Sequence, residues 1–85
     1  METRVAVIAV LVKNPDSVQK LNAILHAYAD VIIGRMGLPY KAKQVNIMSI
    51  AIDAPQPQIA ALTGKIGALP DVSVKTAYAD IRIHF

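Results

Sequence analysis

From Val5 to Val12 the chain reads Val-Ala-Val-Ile-Ala-Val-Leu-Val, with no polar residue in the run. A strand sends successive side chains to opposite faces, so Val5, Val7, Ala9 and Leu11 share one face and Ala6, Ile8, Val10 and Val12 the other. Both faces are apolar, whereas a strand with one wet side alternates apolar with polar. A first strand over about Thr3 to Lys13 therefore needs cover on both sides.

The next pattern changes period. Asn14-Pro15-Asp16-Ser17 reads as a helix start, with Asn14 as N-cap, Pro15 in the tolerant first position and Asp16 where the helix dipole favours an anion. Val18, Leu21, Leu25 and Tyr28, with Ile24 beside them, make one apolar stripe to about Tyr28, while Gln19, Asn22 and His26 lie on another side. Val31 to Leu38 reads as a second strand, with Gly34 and Gly37 marking a bulge, a bend or a close backbone approach. Pro39 to Lys43 follows as a polar loop.

A third strand, about Gln44 to Asp53, repeats the double-sided pattern of the first: Val45, Ile47 and Ala51 on one face, Met48, Ile50 and Ile52 on the other. Asp53-Ala54-Pro55-Gln56-Pro57 is a stiff link, so a second helix should begin near Pro57. Its core stripe is Ile59, Leu62, Ile66 and Leu69. Its outward side, with Ala60, Ala61, Gly64, Gly67 and Ala68, has almost no bulk, which fits either early termination around Gly67 or close approach of another backbone or a ligand. Pro70-Asp71 turns into a fourth strand, Val72 to Tyr78. Ile81 to Phe85 alternates and extends that strand or adds a short edge strand.

The order β-α-β-β-α-β has one compact solution, a ferredoxin-like α+β sandwich. Its antiparallel four-stranded sheet has strands 1 and 3 central and two helices on one face. The expected division is a single domain over 1–78 and a C-terminal tail over 79–85. Strands 1 and 3 are the two with apolar residues on both faces, so one broad sheet face is left bare. Leaving the four side chains on one face of strand 1 wet forgoes on the order of 6 to 12 kcal/mol as an upper bound. Association costs about 4 to 15 kcal/mol in lost freedom, which strand 3 helps to offset. Self-association, as a homodimer or tetramer through the uncovered face and the edges, is the first expectation.

Composition sharpens this. A chain of 85 residues buries only roughly 60 to 65% of its unfolded surface, and oligomerisation is a common remedy. The hydrophobic fraction is 54% and only 18% of residues are charged, with a mean hydropathy of +0.41, which again points to a covered outer surface. The absence of cysteine excludes disulfides, thiolate metal sites and cysteine nucleophiles. The longest apolar run falls far short of the roughly 18 residues that cross a bilayer, and Lys13-Asn14-Pro15 is no cleavage site, so no membrane and a cytoplasmic address are expected. The net charge of +3 comes from scattered residues, with Arg35, Lys41 and Lys43 near one another.

No enzyme constellation is present. The acids Glu2, Asp16, Asp30, Asp53, Asp71 and Asp80 are dispersed at turns and helix starts, where capping explains them. Ser17, Ser49 and Ser73 lack a histidine base, since only His26 and His84 exist. Neither histidine has metal-ligand neighbours, so no metal and no cofactor are expected. Leu62-Thr63-Gly64-Lys65 departs from a phosphate loop at Ile59 and Ile66.

Long stretches carry a family resemblance: Ile32 to Tyr40, Asp53-Ala54-Pro55, Ala61 to Pro70 and Val72 to Tyr78. Together they resemble the iron-only hydrogenase system regulator family from about Arg4 to Tyr78. The resemblance implies a ferredoxin-like domain akin to ACT domains and to the C-terminal sensor of the nickel-responsive repressor, with a role beside iron-only hydrogenase maturation. Asp71 stands where glycine is expected, which bears on the turn into strand 4. Val12 to Val18 resembles the turn by which ACT domains hold small ligands at a subunit interface, with Asp16 in place of glycine, where it would repel a ligand carboxylate. The nickel sensor's cysteine and clustered histidines are missing, so its metal site is not carried over. Its ribbon-helix-helix segment is missing too, and autonomous operator binding is not expected.

The function this supports is a non-enzymatic regulatory domain. It would act as an oligomer and bind a small effector or a partner, such as a hydrogenase-maturation protein, at a subunit interface. The candidate binding residues are Asn14, Pro15, Asp16, Gly34, Arg35 and Gly37. Two alternatives remain. One is a nucleic-acid-binding transcriptional regulator, favoured by a pI of 9.5 but lacking exposed aromatic pairs for base stacking. The other is a purely structural partner-docking module.

Overall fold

A computed structural model describes residues 2–79. The elements are β1 (Arg4–Val12), α1 (Pro15–Ala27), β2 (Ile32–Tyr40), a 3₁₀ turn at Lys41–Lys43, β3 (Val45–Ala54), α2 (Gln56–Gly67) and β4 (Val72–Tyr78). The sheet order is β2-β3-β1-β4, with every neighbouring pair antiparallel. This is the ferredoxin-like α+β arrangement expected from the sequence, with β1 and β3 in the middle. The tail expectation at Ile81 to Phe85 lies outside the described residues.

One core cluster holds the fold together. It takes Ala6, Ile8, Val10 and Val12 from β1 and Ile50, Ile52 and Ala54 from β3. From the helices it takes Leu21, Leu25, Ile59, Leu62 and Ile66, with Tyr28 at its edge. Ala6, Ile8, Val10 and Val12 of β1 are at most 1% exposed, so the helices cover that side of the strand from Ala6 onward.

Local chemistry sets the boundaries. The Asn14 side chain accepts a hydrogen bond from the Asp16 N–H at 3.0 Å, and Pro15 occupies the first turn of α1, as the sequence predicts. The buried Ser17 hydroxyl donates to the Pro70 carbonyl at 2.8 Å, tying α1 to the turn before β4. Between the helices, the Lys65 ammonium donates to the Tyr28 hydroxyl at 2.9 Å. At the opposite end the Arg4 guanidinium lies 4.2 Å from the centroid of the Tyr78 ring.

Two boundaries differ from the sequence reading. Helix α2 starts at Gln56, one residue earlier than Pro57, with Pro55 as its cap. Strand β2 runs through Pro39 and Tyr40, paired with Asn46 and Val45, where a polar loop is predicted. An edge strand tolerates proline because half of its N–H groups face outward and need no ladder partner.

Candidate functional site

Antiparallel pairing sets opposite residues on the same face, so the register defines the surface away from the helices. Val5 stands opposite Asp53, Val7 opposite Ala51, Ala9 opposite Ser49 and Leu11 opposite Ile47. From β2 the same face takes Met36, Leu38 and Tyr40, and from β4 it takes Ser73, Lys75 and Ala77. Val5, Val7, Leu11, Met36, Leu38 and Tyr40 are 44% to 60% exposed. With half-buried Val45 and Ile47 of β3 between them, they form one apolar surface across three adjacent strands, with the small residues Ala9, Ser49 and Ala51 near its middle. Single exposed apolar residues are ordinary, but a contiguous patch of this kind marks an interaction surface.

Strand β2 reaches beyond the helix layer and is exposed on both faces, Ile32 being half-buried and the rest exposed. A bulge between Ile32 and Gly34 puts Ile33 outside the regular pairing. On the helix side, Arg35 donates to the Asn22 side-chain oxygen at 3.2 Å. Both line a hollow of about 250 Å³ with Leu25, His26, Ala29 and Ile32.

A larger hollow of about 390 Å³ lies where β1 ends and β3 begins, lined by Lys13, Pro15, Pro39, Tyr40, Lys41, Gln44, Val45 and Asn46. Lys13 also lines a neighbouring hollow of about 320 Å³ with Leu11, Val45, Asp71, Val72 and Ser73. Since Leu11, Val45 and Ser73 belong to the apolar face, Lys13 sits at its rim. Two lysines beside an amide-rich wall suit a small anion. Among the described residues no group of His, Cys, Asp and Glu side chains could hold a metal ion.

The candidate residues are distributed over several places. Pro15 lines the hollow with Lys13 and Lys41, and Arg35 lines the one beside α1. Gly37 lines a third, apolar one with Val18, Leu21 and Met48. Asn14, Asp16 and Gly34 line none of these three: Asn14 and Asp16 make the helix cap, and a Cβ on Gly34 would meet nothing within 4 Å. The sequence reading misses Lys13, Tyr40, Gln44 and Asn46. Lys13 was legible, because it continues the odd-numbered face of β1. The others depend on how the β2–β3 connection folds back, with Gln44 at a φ of 51°.

The model of a family described as "TM1266-like: Iron-only hydrogenase system regulator, putative" matches residues 4–76. Among solved structures, uncharacterized protein TM1266 from Thermotoga maritima matches with a TM-score of 0.89 and 26% identity, covering 93% of this chain and 100% of that one. The C-terminal domain of the MgtC protein from Mycobacterium tuberculosis matches with a TM-score of 0.73 and 10% identity, covering 92% of this chain and 89% of that one. An unknown protein from Galdieria sulphuraria matches with a TM-score of 0.67 and 15% identity, over 93% of this chain and 46% of that one. The last two show the fold alone. No curated protein matches.

Proposed function

We propose a function from one premise: the chain belongs to the TM1266-like family, that of the iron-only hydrogenase system regulators. It is a non-enzymatic regulatory module of that system, assembling with itself through the bare sheet face and binding a small anionic effector at the Lys13–Lys41 end. The observation that carries this reading is the apolar surface of Val5, Val7, Leu11, Met36, Leu38 and Tyr40, which a lone protomer leaves in water. The effector hollow shares Tyr40 and Val45 with that surface. A ligand there acts by population shift, favouring the subunit arrangement in which it makes more contacts.

Sedimentation equilibrium at micromolar concentration tests the reading. The expected mass is at least twice 9.1 kDa, and Leu11→Lys, which sets a new charge on the apolar face, is expected to reduce it to one protomer. A wild-type chain that stays monomeric overturns the proposal.

A further inference from the structure

The charges around the bare face are unevenly placed. Lys13, Lys41 and Lys43 gather at the end where β1 stops and β3 starts, against Asp16 and Asp71. Asp53, Asp30 and Glu2 gather at the other end, against Arg4. Among the described residues the two ends therefore carry opposite net charge, along a molecule 40 Å in its longest dimension. Asp53 stands opposite Val5 on the bare face, and Lys13 borders that face beside Leu11. Val5 and Lys13 lie equally far from Ala9 along the strand.

Resting on the self-association proposed above, we infer that two copies of this chain stack bare face on bare face with their β1 strands antiparallel. The Asp53 end of each sheet then lies over the Lys13 end of the other. A two-fold axis in the plane between the sheets, passing by Ala9 and Ser49, generates this arrangement, and the same patch serves both copies. The small side chains at the centre let the sheets approach to about 10 Å, while Val7, Leu11, Met36 and Leu38 interdigitate around them. The parallel alternative sets the Lys13 end of each sheet over the Lys13 end of the other and the Asp53 end over the Asp53 end, and like charges facing each other across an interface disfavour it.

A second copy is the occupant that fits in size as well as in charge. The six exposed apolar side chains, 44% to 60% accessible, offer on the order of 500 to 600 Å² per protomer toward the ~800 Å² per partner of a standard stable interface. Half-buried Val45, Ile47, Ser49 and Ala51 add to it. Lys75 is level with Ala9 on the outer strand β4, so it meets its own copy at the rim, where its flexible stem turns out to solvent. Lys75→Ser is accordingly expected to tighten the dimer.

A charge-swap cycle, with dimer dissociation constants from sedimentation, tests the arrangement. Asp53→Lys and Lys13→Asp each turn two attractive contacts into repulsive ones and are expected to weaken the dimer by about tenfold. The double variant is expected to return to within about threefold of wild type, because the pairs are restored with reversed sign. Both sites are exposed, so the fold should persist, as far-UV circular dichroism checks. Should either reversal unfold the chain, Asp53→Asn and Lys13→Gln are each expected to weaken the dimer by a smaller factor and the two together by no more than either alone, because the second neutralisation has no pair left to break. A wild-type dimer that neither single change weakens, or that the double reversal fails to rescue, overturns the antiparallel stack and leaves self-association standing. A monomeric wild type overturns both.

Discussion

Asp71 has a φ of 58°, the left-handed region that residues with a Cβ seldom enter, though Asp and Asn tolerate it best. Its carbonyl accepts the Lys13 N–H at 3.0 Å, so the turn joins the end of β1 to the start of β4. The sequence reading expects glycine at this position, and the backbone supplies the reason. Asp71→Gly is expected to stabilise the chain by about 0.5 to 1 kcal/mol, the relief of the left-handed conformation being partly offset by glycine's larger entropy loss. An unchanged urea midpoint would contradict this. Ser17 runs the other way. Its buried hydroxyl satisfies the Pro70 carbonyl, so Ser17→Ala leaves an acceptor without its partner and is expected to cost about 1 to 2 kcal/mol in urea denaturation. Nothing in the pattern of the sequence singles out Ser17, because its partner lies far along the chain.

At the scale of elements, the two glycines of α2 separate. A Cβ on Gly64 would meet nothing within 4 Å, while one on Gly67 would come to 3.4 Å from Val74, and the helix ends at Gly67. Early termination therefore accounts for Gly67, and no close approach among the described residues requires Gly64. Gly64→Ala is expected to raise stability by about 0.5 to 1 kcal/mol, read as a higher thermal midpoint, by removing a flexible residue from an exposed helix interior. Loss of the cap in Asn14→Ala should lower it by about 1 kcal/mol. The strands and helices were legible because period and punctuation agree in each. Strand β2 was misjudged at its end, since Pro39 and Tyr40 look like a loop to any local rule and only pairing with β3 makes them strand.

For the whole molecule, the decisive quantity is the bare face. A thermal-shift screen of the wild-type chain against small carboxylates, phosphates and nucleotides is expected to raise the midpoint for an anion, as any ligand of the native state must. Lys13→Ala with Lys41→Ala should abolish that rise while leaving the unliganded midpoint within a few degrees; a rise that survives both changes places the anion elsewhere. Among the described residues no helix is long and apolar enough to cross a membrane, and the apolar excess of the composition is accounted for on β1, β2 and β3 instead.

The order of elements, the central placement of β1 and β3 and the apolar character of both their faces follow from the sequence alone, because strand alternation and helix capping are rules of near neighbours. Which side chains meet does not. That Lys13 shares a hollow with Lys41, that Arg35 turns toward Asn22, and that the acidic and basic ends lie at opposite limits of one face are set by the antiparallel register and the two crossovers. These bring together residues that no local period connects.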